Sequence, residues 1–298
     1  MNSVPYAFCE AVCGVLCAIR EMNKLCEGRA SAYAIWYRAA KRAEERRIDA
    51  DIYVDIDDDD GTWIYEIEIG GDNFKDEPRL SFQEFENLGR ENICITGVWI
   101  GYQGVFGITS TLEEITEIFK FTAPCINLSI LTISKPILGR AISEDDLSRL
   151  LSFYRNATFR QIACHYHNRA SEQFLIAQME TNVLKNFSIG GCGWTEELRS
   201  ATEEFALNKD FESINVRNPS LVFGRAFFDA LIQKHLFRKQ STFKAQFSFH
   251  SQELMTSGFQ DIDLPHVDRS MRWIREDGVS ITIRQYKCMS VVLEHPLM

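Results

Sequence analysis

An α/β fold built on a mostly parallel sheet is the class this chain predicts, and three observations carry that prediction. Strand-like runs recur through the middle of the sequence, amphipathic segments separate most of them, and several of those segments open on a helix-capping residue. The runs begin near Ile93 (ICITGVWI), Ile126 (INLSILTI), Phe159 (FRQIACHY), Leu184 (LKNFSIG), Phe211 (FESINV) and Phe243 (FKAQFSF), at steps of 33, 33, 25, 27 and 32 residues. A strand-then-helix unit at such a period points to a solenoid-like repeat array, which usually serves as a binding surface.

The elements follow in order. Phe8, Val12, Val15, Leu16 and Ile19 fall at helical spacing after Pro5, and Gly28 interrupts the pattern. A second amphipathic helix carries Ile35, Trp36 and Ala39 on one side and Arg38, Lys41, Arg42 and Arg46 elsewhere. From Ile48 the period changes to two: Ile48, Ala50, Ile52, Val54 and Ile56 alternate with Asp49, Asp51, Tyr53, Asp55 and Asp57. That alternation is a strand with one wet face. Asp60-Gly61 supplies a turn, and Trp63, Tyr65, Ile67 and Ile69 resume the pattern as the second arm of a β-hairpin. A polar loop over 70–92 holds Pro78 and a short helix near Phe82–Leu88.

Within the array, Thr111, Ser143, Asn168 or Ser171, and Thr195 each precede a helical pattern. Such caps are worth about 1 kcal/mol each. Pro219 precedes LVFGRAFFDALIQKHLF, read as a deeply buried helix. An Asp277-Gly278 hairpin and the strand MSVVLEH close the chain and are expected to cover the last edge of the array. The sequence thus divides into a helical segment over 1–47, a hairpin and linker over 48–92, and a strand-helix repeat domain with a C-terminal hairpin over 93–298.

With 298 residues, 45% of them hydrophobic and 21 of them Phe, the chain has ample core material. A net charge of −10 argues against nucleic-acid or anionic-membrane partners, although Arg38, Lys41, Arg42, Arg46 and Arg47 form a short basic run. Nine scattered cysteines in apolar segments read as reduced thiols of the cytoplasm or nucleus. The N-terminal VPYAFCEAVCGVLCAI lacks a basic leader and carries Glu10, so it is not read as a signal peptide. No apolar run approaches the ~20 residues a bilayer requires.

Each candidate chemical site has a plainer reading. Asp55, Asp57, Asp58, Asp59 and Asp60 fail the EF-hand spacing, because Ile56 and Ile67 would fall at the first and last ligand positions, and they read as a solvated turn. Cys164, His165 and His167 have ligand chemistry, but a strand puts the histidines on one face and Cys164 on the other, and no second cluster completes a zinc set. Cys9, Cys13 and Cys17 share a helix face as small hydrophobes, and neither Cys94 nor Cys125 has a base at a recognisable spacing. Gly190-Gly191-Cys192-Gly193 stands where phosphate loops stand, yet no Lys follows and Glu196 and Glu197 would repel a phosphate. These glycines read as a tight strand-to-helix turn. No catalytic residue, metal or cofactor is assigned.

The opening Val4-Pro5, followed by Phe8, Val12, Leu16, Leu25 and Trp36, resembles an F-box, in which such a pair precedes hydrophobic helices and a Trp closes the last one. The phrases LKNFSI…GWTEEL and FESINV…LVF and the tail WIREDGVSITI are similar to a nematode-expanded family that joins an F-box-like start to a leucine-rich-repeat-like C-terminal region. The resemblance implies that the N-terminal helices dock on the Skp-type adaptor of a cullin ubiquitin ligase while the array holds a target protein. The docking residues would be Val4, Pro5, Phe8, Val12, Leu16, Leu25 and Trp36. The residues alone equally allow those helices to cap the array. The expected function is therefore a non-enzymatic protein-interaction module of the cytoplasm or nucleus, with a Skp-type adaptor and an unknown target as partners. One alternative is a small-ligand binder or hydrolase using carboxylates or histidines at strand ends. Another is a recognition protein with no ligase link.

Overall fold

The computed structural model describes residues 34–57, 61–70, 79–101, 107–134, 142–218, 220–235, 241–247, 260–262, 269–274, 280–285 and 289–294. Strands and helices alternate around mostly parallel pairing, so the α/β class is as expected. The chain divides into two compact units: Met1–Thr132 with Pro136–Ile142 and Ser152–Phe159, and Ile133–Lys135 with Ser143–Leu151 and Arg160–Met298.

In the first unit, α1 (Ala34–Arg46) leads into β1 (Ile48–Ile56) and β2 (Trp63–Ile69). The hairpin closes where Asp57 N–H donates to Thr62 (2.8 Å) and Gly61 N–H to Asp57 (2.9 Å). Gly61 has φ 73°, a left-handed value that glycine adopts without strain. The short helix α2 (Phe82–Glu86) is capped by Ser81 and Glu84 in a reciprocal box. Next come β3 (Ile93–Ile100), β4 (Ile108–Ser110), α3 (Leu112–Thr122) and β5 (Ile126–Ile133), giving the path β5-β3-β1-β2-β4. The hairpin does not stand apart, because β1 pairs in parallel with β3. Its register aligns Ile67, Ile52 and Val98 in one rung and Tyr65, Val54 and Ile100 in the next, all buried. Helix α3 lies against β2 and adds Ile115, Ile118 and Phe119 to this core. The Tyr65 hydroxyl, also in the core, accepts the Phe82 N–H at 2.9 Å and ties α2 to the sheet.

In the second unit, β6 (Thr158–His165), β7 (Asn186–Gly190), β8 (Ser213–Arg217) and β10 (Ser241–Phe247) pair in parallel, in chain order. Helices α5 (Arg169–Glu180), α6 (Glu196–Asn208) and α7 (Arg225–His235) connect them, and α4 (Glu144–Phe153) precedes β6. The capping reads hold: Thr111 accepts from Glu114 N–H, Ser143 from Asp146, Asn168 from Ser171 and Thr195 from Glu197. One segment departs from expectation. Helix α7 starts at Arg225, because Val222–Phe223 forms a short strand, β9, beside β10, and Gly224 separates the two. Phe223 is drawn into the core against Phe243 (5.4 Å between rings), so burial outweighs the helical spacing of the run.

Past β10, β14 (Met289–Glu294) pairs antiparallel, followed outward by β13 (Ser280–Gln285), β12 (Arg269–Ile274) and β11 (Gln260–Ile262). The expected terminal hairpin is β12–β13, and it is β14, beside it, that covers the β10 edge.

The packing under α3 gives a stability test. Phe119 and Tyr154 stack at 4.7 Å between ring centroids and are fully buried. The Thr122 hydroxyl donates to Ile118 O, so the 2.8 Å contact with Tyr154 is the tyrosine O–H donating to Thr122. Phe119→Ala is expected to lower unfolding free energy by about 3–5 kcal/mol through the cavity it leaves. Tyr154→Phe, which removes one hydrogen bond and no volume, is expected to cost about 0.5–1.5 kcal/mol. Urea denaturation of both variants checks the contrast, and equal losses would contradict it.

Candidate functional site

Parallel strands that step to one side with right-handed connections send every connecting helix to the same face. The second unit shows the consequence. Ile162, Phe187, Ile214 and Phe243 align across β6, β7, β8 and β10 and are buried. Phe205 of α6 meets Phe187 at 5.5 Å and Phe227 of α7 meets Phe243 at 5.4 Å, so the helices lie on this side. The neighbours of those residues point the other way, to a face that bears small and polar side chains. One rung of that face is Gln161, Asn186, Ser213 and Thr242. The next is Ala163, Ser188, Asn215 and Lys244. The third is His165, Gly190 and Arg217.

Arg217 and Lys244 are exposed. The Asn215 side-chain oxygen accepts from Arg217 Nε (3.0 Å) and Nη2 (3.2 Å), which orients the guanidinium along β8. At the amino end of the rungs, Glu212 is bound by Arg160 (2.7 Å) and by the Asn186 amide (2.9 Å). The Asn186 hydrogen bond, then Arg160, holds this carboxyl below the usual glutamate range.

The opposite strand ends carry the histidine and glycine motifs. Strand β6 ends at His165, so His167 leaves the strand instead of sharing its face, and its Nε2 donates to the Ser134 carbonyl. The Nδ1 atoms of His165 and His167 are buried without a hydrogen-bond partner. Burial pushes the His167 imidazole below the ordinary histidine range, outweighing the upward pull of the Ser134 carbonyl. Gly190-Gly191-Cys192-Gly193 is the tight turn expected between β7 and α6. Gly191 (φ 81°) is where the His165 ring lies, with space for a Cβ only 2.5 Å from Cε1. Gly193 (φ 108°) likewise accommodates the Tyr166 ring, which meets Trp194 edge-on at 5.0 Å.

Where a phosphate loop would hold its ligand, a buried carboxylate already stands. Glu172 of α5 is fully buried and accepts the Thr195 N–H (3.0 Å) and hydroxyl (2.6 Å) at the start of α6. Arg169 neutralises it at 2.5 Å and also pairs with Glu197. This network joins α5 to α6 and takes the Thr195 N–H directly and, through the Thr195 hydroxyl, the Glu197 N–H.

The first unit has a second strand face, of different character. Glu66, Tyr53 and Trp99 align across β2, β1 and β3, with Tyr53 stacked on Trp99 at 4.7 Å. Trp99 folds over Gly97, where a Cβ would fall 1.9 Å from the ring. Leu128 and Ile130 of β5 are 43% and 36% exposed.

Of the residues singled out in the sequence, Trp36 lies half-buried on α1. Val4, Pro5, Phe8, Val12, Leu16, Leu25, Cys9, Cys13 and Cys17 lie outside the described residues, as do Asp58, Asp59 and Asp60. Cys94, Cys125 and Cys164 are buried, and burial pushes the Cys164 thiol up to about 12, which leaves it protonated at neutral pH. Cys192 is exposed. No group of three His, Cys, Asp or Glu among the described residues is placed to hold a metal ion. No helix among them is long and apolar enough to cross a membrane. Sequence reasoning expected a strand-borne binding face but, of its residues, singled out only His165 and Gly190. The signal is the alternation of small polar with apolar residues in NFSIG and SINVR. No protein-family model matches the chain, and no curated protein matches it.

Two outcomes follow from the strand-end geometry. Gly191→Ala is expected to destabilise the protein by more than the 1–2 kcal/mol, roughly, of left-handed backbone strain, because His165 also blocks the new methyl. In a His165→Ala background the loss is expected to fall toward the strain alone, and additive losses in a double-mutant cycle would contradict the contact. For His167 the folded state disfavours the proton, so its contribution is full above the unfolded value of about 6.5 and is lost as pH falls through that value and below. Urea midpoints are expected to drop between pH 7.5 and pH 5.5, and His167→Gln is expected to flatten that drop.

Proposed function

We propose that this chain is a protein-interaction module whose open strand face in the second unit holds a target, and that its N-terminal segment makes it an F-box-like substrate adaptor of a cullin ubiquitin ligase. The observation that carries the reading is the set of three polar rungs on β6, β7, β8 and β10, opposite the helix-covered side. A broad, laterally repeated face of short side chains suits a protein surface better than a small molecule, which requires a concave, mostly apolar pocket. The ligase link rests on the resemblance of Val4-Pro5, Phe8, Val12, Leu16, Leu25 and Trp36 to an F-box. A protein acting there is expected in the cytoplasm or nucleus.

The hydrolase reading has one observation in its favour, the unpartnered Nδ1 atoms of His165 and His167 at the strand ends. General-base catalysis needs an imidazole oriented by a second group and facing a nucleophile. Among the described residues neither imidazole is hydrogen-bonded to a carboxylate or hydroxyl, and Cys164 is held protonated. We therefore place the non-enzymatic reading first.

The test is binding of the purified full chain to a Skp-type adaptor, measured by calorimetry. Micromolar or tighter binding is expected, weakened at least tenfold by Phe8→Ala and by Trp36→Ala with the thermal transition unchanged. A folded chain that does not bind would remove the ligase link and leave the interaction module.

A further inference from the structure

Resting on that reading of the open face, we infer that the face is selective for an acidic protein segment. Three observations on β6, β7, β8 and β10 combine. First, the rungs carry two cations, Arg217 and Lys244, and no carboxylate, although the chain as a whole has a net charge of −10. Glu212, which directly precedes Ser213 of the first rung, is already bound by Arg160 and Asn186. Second, both cations have capacity to spare. Arg217 spends two of its N–H groups on Asn215, and among the described residues neither it nor Lys244 forms an ion pair. An arginine carries five N–H donors and a lysine three, so each retains enough to bind a carboxylate. Third, the cations stand on adjacent strands and in successive rungs, with Asn215 directly opposite Lys244 and two residues before Arg217. That spacing places two positive groups along one diagonal and leaves Ser188, Ser213 and Thr242 beside them as hydrogen-bond partners for a peptide backbone.

Charge complementarity therefore selects the occupant. A basic segment would meet two uncompensated cations, and an apolar one would strand the amides and hydroxyls of the rungs. A nucleic acid is the other polyanion to weigh. Two cations give little counterion release, and the surrounding charge of the protein repels a phosphate backbone. An acidic polypeptide satisfies both the cations and the neutral donors.

The experiment uses the full chain and a fluorescein-labelled 16-residue peptide of alternating Glu and Ser, read by fluorescence anisotropy. A peptide of alternating Lys and Ser and a single-stranded oligonucleotide of equal length serve as comparisons. Saturable binding of the Glu-Ser peptide is expected, with no binding of the Lys-Ser peptide and at least tenfold weaker binding of the oligonucleotide. Arg217→Glu with Lys244→Glu is expected to weaken peptide binding at least tenfold, and Arg38→Glu with Arg42→Glu on α1 to leave it within twofold. Ser188→Trp, which keeps both cations and blocks the middle rung, is also expected to weaken it at least tenfold. Circular dichroism melts confirm that each variant folds. No binding by the wild-type chain, binding indifferent to the charge reversal or to Ser188→Trp, or oligonucleotide binding as tight as the peptide's would each overturn the inference. A chain that binds the adaptor but not the peptide loses only this inference. A chain that binds the peptide but not the adaptor keeps it and loses the ligase link.

Discussion

Same-side stepping of the parallel strands is the constraint on which the second unit depends. Each new strand joins the edge left by its predecessor, and each connection must return by a helix. Right-handed crossovers then place α5, α6 and α7 in a row on one face, where α5 packs beside α6 and α6 beside α7. Half of each strand's side chains are buried against them, and among the described residues the other half meet no helix. The period-two alternation of NFSIG and SINVR is the chemical record of that asymmetry: Phe187, Ile189, Ile214 and Val216 are buried, while Ser188, Asn215 and Arg217 face away. A doubly wound sheet, covered on both faces, would require apolar residues at those positions too.

The strand ends add rigidity to this arrangement through contacts that leave little space for a ligand. Glu172 accepts the Thr195 N–H and hydroxyl at the start of α6, and Arg169 compensates its charge. The Trp194 indole Nε1–H donates to Gly190 O at 2.8 Å, and the Tyr166 backbone N–H donates to the same carbonyl at 3.0 Å. The glycine turn is thus pinned from two sides, with His165 and Tyr166 lying where side chains on Gly191 and Gly193 would stand. The glycine-rich turn, read in one dimension as a tight strand-to-helix connection, also brings two aromatic-type rings close to the backbone.

Local chemistry was the legible part of this chain. Thr111, Ser143, Asn168 and Thr195 cap helices because a side-chain oxygen needs only the next two or three residues to act. Nonlocal pairing was hidden. Val222–Phe223 looks helical in an apolar run, and only the distant β10 makes it a strand. The parallel pairing of β1 with β3 spans the hairpin and α2, and it bulges at Thr96, whose hydroxyl donates to Ala50 O at 3.3 Å and to the Asp51 carboxylate. No spacing in the sequence announces that register. The rungs of the open face were illegible for the same reason: Ser188 and Asn215 become neighbours only when β7 and β8 pair. His167 was misread because strand periodicity was carried two residues past the true end of β6.

The most direct test of the account is thiol accessibility across the sheet of the second unit. Single cysteines would be placed at Ser188 and Asn215, on the open face, and at Ile189 and Ile214, on the helix-covered face. Maleimide labelling rates would then be read by peptide mass mapping, with the exposed Cys192 as an internal reference. The account requires labelling at 188 and 215 within about tenfold of Cys192, and protection by a factor of a hundred or more at 189 and 214, where modification must await opening of the fold. Equal protection on both faces would mean that the polar rungs are covered, and the open binding surface at the centre of this account would be wrong.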